Sequence, residues 1–149
     1  MGCFLLVCFY YLSREAAVVT VEMNQKKVIV VDCGHGGSDP GMIGIDGLKE
    51  KDFNLAIGLK VKEALEKRDF QVVMTRDTDT GLYEEASNNK KAQDMQKRIL
   101  LIQEVKPVLT VSIHQNSYED SGVKGPQVFY YRDSPQGEKL AKILQEKLN

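Results

Sequence analysis

The chain has 149 residues, enough for one domain with a real core rather than two. Its 42% hydrophobic and 28% charged residues are ordinary for a soluble globular protein, and a net charge of −1 leaves no basic excess to attract nucleic acid and no acidic tail. Three cysteines, Cys3, Cys8 and Cys33, are an odd number and make no disulfide framework.

The N-terminal run CFLLVCFYYL (Cys3 to Leu12) is strongly apolar, with Arg14 and Glu15 soon after it. It falls short of the roughly 20 apolar residues of a spanning helix and lacks the positive start of a signal peptide. Residues 1–26 therefore read as the remnant of a membrane anchor or export leader, ending in a polar linker. Residues 27–149 read as the folded domain.

From Val28 the chain alternates strand and helix. Val28 to Val31 is a continuous β-branched run, the signature of a strand buried on both faces. A glycine-rich loop occupies 38–49. Residues 51–67 have helical periodicity, with Phe53, Ile57, Val61, Ala64 and Leu65 inward and Leu55 and Leu59 widening that face. Phe70 to Thr75 is a second strand. Residues 84–105 are predicted to form a charged helix with Ala92, Met95, Ile99 and Ile102 toward the sheet. Val108 to Ile113 is a third strand, Pro126 to Tyr131 a fourth, and 136–148 a last helix. The predicted fold class is α/β: a mostly parallel central sheet with helices on both faces, incomplete at the C-terminus.

The only two histidines each lie directly beyond an apolar strand, His35 after VIVVDCG and His114 after VLTVSI. In a parallel sheet both would stand at the carboxyl edge, where open α/β sheets bind ligands. A lone histidine there is more often a hydrogen-bonding residue; two in the same placement point to a transition metal. A catalytic zinc site would add a third protein ligand. Spacing does not choose it among Asp32, Asp39, Asp46, Glu50 and Asp52, and Asp32 has the alternative of orienting His35 from behind. Glu50, at the mouth of the first helix, also has a plain use in complementing the helix dipole.

The blocks VIVVDCGHGGSDPGMIGIDGLKEKDFNLAIGLKVKEAL, FQVVMTRDTD, VLTVSIHQNS and KGPQVFYY occur in order across residues 28–149. Together they resemble the zinc-dependent N-acetylmuramoyl-L-alanine amidase family of the amidase 3 type. SIHQNSY and GPQVFYY are most similar to its spore-germination subgroup. The resemblance implies that His35, Glu50 and His114 hold Zn2+, and that the substrate is peptidoglycan, cut at the amide between N-acetylmuramic acid and L-alanine. It implies an extracytoplasmic protein of the cell envelope, with residues 27–149 as the N-terminal portion of the amidase catalytic domain. The residue before GHGG is commonly proline in the family; here it is Cys33, read as a buried spectator.

Amide hydrolysis also needs a second carboxylate, free of the metal, to move protons. In the family this is a glutamate on a later strand, expected beyond Asn149, so no general base is assigned within these 149 residues. Glu84, Glu85 and Glu119 are poor replacements. The alternative reading is a non-catalytic zinc-binding or wall-binding fragment. Asn116 is a candidate to bind substrate or brace its loop, Gly36 and Gly37 to aim N–H groups at an anionic substrate, and Arg76 to pair with Asp77 or Asp79. A serine hydrolase would need a G-x-S-x-G elbow, and a phosphate-binding loop a G-x-x-x-x-G-K-[ST] or G-x-G-x-x-G pattern; the sequence has none of these.

Overall fold

The structure is a computed structural model that describes residues 26–116 and 122–149. Residues 1–25 of the expected leader, with Cys3 and Cys8, and also Glu119, lie outside the described residues. Among those described, no helix is long and apolar enough to cross a membrane. The chain divides into two compact units, with the boundary between Gln115 and Asn116.

The first unit is a three-stranded parallel sheet. Its strands are β1 (Val28–Cys33), β2 (Gln71–Met74) and β3 (Leu109–Ile113), in the order β2-β1-β3. β-branched residues fit a pleated surface, and β1, between two neighbours, carries the core: Ile29, Val30, Val31 and Cys33 are all buried. Helix α1 (Glu50–Glu66) connects β1 to β2, and α2 (Lys90–Val105) connects β2 to β3. The chain thus leaves β1 to one side and returns to the other. Right-handed crossovers in opposite directions put the two helices on opposite faces. The contacts agree: Gly58 of α1 approaches Val31 and Cys33, whereas Arg98 of α2 reaches the intervening Asp32. Strand order reverses at β1, so the crevice at its carboxyl end is the topological switch point of this sheet.

Both helices bury a stripe that matches the predicted one only in part; in α1, Leu55, Val61 and Leu65 are half-buried as expected. In α1 the buried residues are Glu50, Lys51, Asn54 and Gly58; Phe53 and Ile57 are 44% and 40% exposed, and Leu59 and Ala64 are exposed as well. Gly58 explains the rotation. A Cβ there would stand 2.2 Å from Cys33 Sγ, so the helix comes down on β1 along a seam without bulk. In α2 the buried residue is Arg98, while Ala92, Met95 and Ile99 are exposed and Ile102 is half-buried. Arg98 Nε donates to Asp94 Oδ2 at 2.6 Å and its Nη1 to Asp32 Oδ1 at 2.5 Å, so a charge network occupies the place expected of apolar side chains. Helix α2 also starts later than the predicted 84, because Asn89 caps it by accepting from Ala92 N at 3.1 Å.

The second unit contains α3 (Pro135–Leu148). Ser134 caps it, accepting from Gly137 N at 3.1 Å, and Pro135 stands in the first turn, where its missing N–H costs nothing. The predicted fourth strand, Pro126 to Tyr131, is not a strand. Its polar backbone turns to a side chain instead: Val128 N donates to Gln145 Oε1 and Gln145 Nε2 to Pro126 O, both at 2.9 Å.

Candidate metal centre

His35 follows β1 and His114 follows β3, so adjacent parallel strands deliver both imidazoles to the switch point. Their ring centroids are 4.9 Å apart and nearly perpendicular, at 83°. Glu50, the first residue of α1, completes the group. Its position is set by the preceding loop, whose carbonyls satisfy the helix's opening N–H groups: Glu50 N donates to Met42 O at 2.9 Å and Lys51 N to Pro40 O at 3.1 Å. His35, Glu50 and His114 each offer one ligand atom, all within 4.8 Å of one another, and could hold a metal ion.

Glu50 is 5% exposed, yet it is built to stay charged. Burial alone would raise its pKa. The backbone N–H groups of Met42 and Gln115, the Asn54 amide and His114 outweigh that and hold the carboxyl at about 2. The lengths are 2.9 Å from Met42 N to Oε2, 2.9 Å from Gln115 N to Oε1 and 3.3 Å from Asn54 Nδ2 to Oε1. His35 Nε2 lies 3.2 Å from Oε2 and His114 Nδ1 3.0 Å from Oε1.

The other nitrogen of His35, Nδ1, is 2.9 Å from Asp39 Oδ2. Burial would raise the Asp39 pKa, but the His35 contact and the Gly41 N–H hold it below its usual value. An ionised carboxylate only accepts, so Nδ1 donates, and a neutral imidazole then carries its lone pair on Nε2, facing Glu50. This corrects the expectation for Asp32, which is bound to Thr75, Arg98 and Ser112 and does not orient His35. Asp39 has that part. Two glycines leave room for the rings: a Cβ on Gly34 would stand 2.3 Å from His114 Cε1, and one on Gly41, at φ +67°, 2.6 Å from His35 Cδ2.

Several other expectations change. Gly36 N donates to Asp39 O at 3.0 Å and Gly37 N to Asp79 Oδ1 at 2.9 Å, so neither N–H is offered to a substrate. Arg76 makes no close ion pair with Asp77 or Asp79, though after Lys51 and the Gly37 N–H its charge helps to hold the Asp79 pKa down. Its guanidinium is buried against backbone carbonyls, and Asp79 takes Lys51 Nζ at 2.6 Å. Cys33 is buried against α1, where desolvation raises its thiol pKa. Asn116 is exposed and belongs to the second unit. Sequence reasoning missed Asn54, which ties Glu50 to Gly34 O, and Gln115, which donates to both Glu50 and Asn54. Asn54 carried one usable signal, its spacing of one helical turn from Glu50.

Comparison with known proteins places this centre in context. Residues 29–149 match the N-acetylmuramoyl-L-alanine amidase family. The chain is 38% identical over 125 residues to the germination-specific N-acetylmuramoyl-L-alanine amidase of Bacillus subtilis, covering 82% of this chain and 52% of that protein. It is 34% identical to the probable cell wall amidase LytH of Staphylococcus aureus, covering 77% of this chain and 35% of that one. The CwlD amidase from Clostridioides difficile, solved in complex with the GerS lipoprotein, superposes with a TM-score of 0.78 at 38% identity, over 83% of this chain and 65% of that chain. The chain thus spans about half the length of the first of these curated relatives. It belongs to the N-acetylmuramoyl-L-alanine amidase family.

Proposed function

We propose that this chain provides the zinc centre of a peptidoglycan hydrolase that cuts the amide between N-acetylmuramic acid and L-alanine, with His35, Glu50 and His114 as the ligands. The observation that carries this reading is the convergence of those three donors at the switch point of a chain in a metal-dependent amidase family. The donor set suits the ion. Two imidazoles and one carboxylate, with donor atoms all within 4.8 Å of one another, are ligand types that zinc takes. Bound zinc supplies Lewis acidity toward the amide carbonyl and a water of lowered pKa. The chain's own residues prepare the place: Glu50 stays ionised, Asp39 fixes the His35 tautomer, and Asn54 and Gln115 brace the carboxylate. The protein acts in the cell envelope, and the Cys3–Leu12 run is its candidate anchor.

A second reading, a non-catalytic zinc-binding or wall-binding role, has one observation in its favour. Asp39, the described carboxylate in contact with a ligand residue besides Glu50, is committed to His35 and Gly41. One experiment separates the two. Elemental analysis of the purified 149-residue protein is expected to give about one zinc per chain, lost in His35→Ala and His114→Ala. Zinc content unchanged in both variants would sink the ligand assignment. Muropeptide cleavage that stops on chelation supports the enzyme; bound zinc without cleavage supports the second reading.

A further inference from the structure

The carbonyls of Cys33, Gly34 and His35 leave the sheet in succession, and two buried guanidinium groups collect all three. Arg98 Nη1 donates to Cys33 O at 2.9 Å and its Nη2 to His35 O at 2.7 Å. Arg76 Nε donates to the same Cys33 O at 2.9 Å, and its Nη2 to Gly34 O at 3.1 Å and Lys51 O at 2.7 Å. Both arginines are 4% exposed. Each comes from a different part of the chain, Arg76 just after β2 and Arg98 from the middle of α2.

The clamped residue is unusual. His35 has φ +63°, a left-handed conformation that side chains other than glycine rarely adopt. Such a conformation persists only where the surroundings over-determine it. Here the over-determination is visible: Arg98 holds the His35 carbonyl on one side of the residue, and both arginines hold the Cys33 carbonyl on the other. Gly34 O also accepts from Asn54 Nδ2 at 3.1 Å, which ties the same backbone to the Glu50 brace.

We propose that Arg98 and Arg76 are positioning residues for His35: their paired clamp on the 33–35 carbonyls holds the left-handed turn that aims the imidazole at Glu50 and His114. The importance of this aim rests on the metal reading above. A guanidinium is needed at each place because one planar fork reaches several acceptors; an ammonium is a single point charge. Arg98 also sits between Asp32 and Asp94. A role in neutralising those carboxylates has to be separated from the role in aiming His35.

Arg98→Lys keeps the positive charge and removes the fork. Asp94→Asn weakens the charge pairing and removes none of the groups that donate to the three carbonyls. Three quantities are measured on the full chain: zinc affinity by competition with a chromophoric chelator, NMR signals of the His35 ring and Gly36 amide in metal-free protein, and the thermal midpoint. Arg98→Lys is expected to lower zinc affinity ten- to a hundredfold, on the order seen when a ligand loses its orienting partner, and to shift or broaden the His35 and Gly36 signals. Asp94→Asn is expected to lower the midpoint while changing zinc affinity less than about threefold. Wild-type affinity and unchanged His35 signals in Arg98→Lys would overturn the proposal, as would zinc loss that merely follows the midpoint in both variants. Should Arg98→Lys fail to fold, Arg76→Lys decides by the same readouts. Should the wild type bind no zinc, the metal reading fails by itself, and the metal-free signals still decide whether the clamp sets His35.

Discussion

On one face of β1, Val31 and Cys33 meet Gly58 of α1 in a contact so close that there is no room for a methyl group. On the other face Asp32 meets Arg98 of α2, with Thr75, Ser112 and Asp94 completing a charged and hydroxylic layer. The same strand thus rests on a dry seam and on an ion network. A dry seam fixes distance, because dispersion and exclusion of water have no direction. The network fixes direction, and through Arg98 it extends past the strand to the Cys33 and His35 carbonyls that flank the His35 turn.

The comparison breaks most severely at the network. Arg98→Met leaves Asp32 and Asp94 facing each other without their cation and is expected to cost about 3–5 kcal/mol in denaturant unfolding. A loss below about 1 kcal/mol would show that the layer behaves as a surface. On the dry face, Gly58→Ala is expected to destabilise by about 1–3 kcal/mol despite alanine's better helix propensity, because the added methyl overlaps Cys33 Sγ. Placing it in a Cys33→Ala background removes the obstacle, and the double-mutant cycle is expected to return roughly 1 kcal/mol of favourable coupling. Zero coupling would place the crowding elsewhere.

The smallest effect is read as a slope. Burial opposes ionisation of Asp32, but the Ser112 hydroxyl, Arg98 and Thr75 together hold its carboxyl below the usual 3.8. A carboxylate with a lowered folded-state pKa contributes stability that is complete above the unfolded value and is lost as pH falls through the folded one. Stability is therefore expected to fall from about pH 4 downward, and Asp32→Asn to flatten that limb while Cys33→Ala does not. Equal slopes in the two variants would assign the acid limb to other carboxylates.

The order of strands and helices in the first unit was legible because β-branched runs and glycine-rich turns are local signals. The two histidines were legible because each stands just past such a run. Glu50 was not separable from Asp39 or Asp52 by spacing. Its selection depends on where α1 begins, and that is decided by the Met42 and Pro40 carbonyls of the folded loop. The inward faces were misread in part, for a related reason. Periodicity counts apolar side chains, whereas α1 packs through Gly58 and α2 through an arginine followed directly by exposed Ile99 and Leu100. Arg98 meets Cys33 O across 65 residues of sequence, a partnership with no local trace. The GPQVFYY block marked the family while its strand reading failed, since resemblance and backbone pairing are separate properties.

The parallel pairing of β1 with β3 also sets an order of assembly. His114 is 64 residues from Glu50 along the chain, and only the docking of β3 beside β1 brings it into range. Closing so long a loop is a late step, since its entropy must be met before the contact exists to repay it. If, as proposed, His35, Glu50 and His114 capture an ion together, that ion would act as a clasp on β3. Its binding energy would become folding energy for this unit, and chelation would loosen β3 before it touched the seam beneath α1.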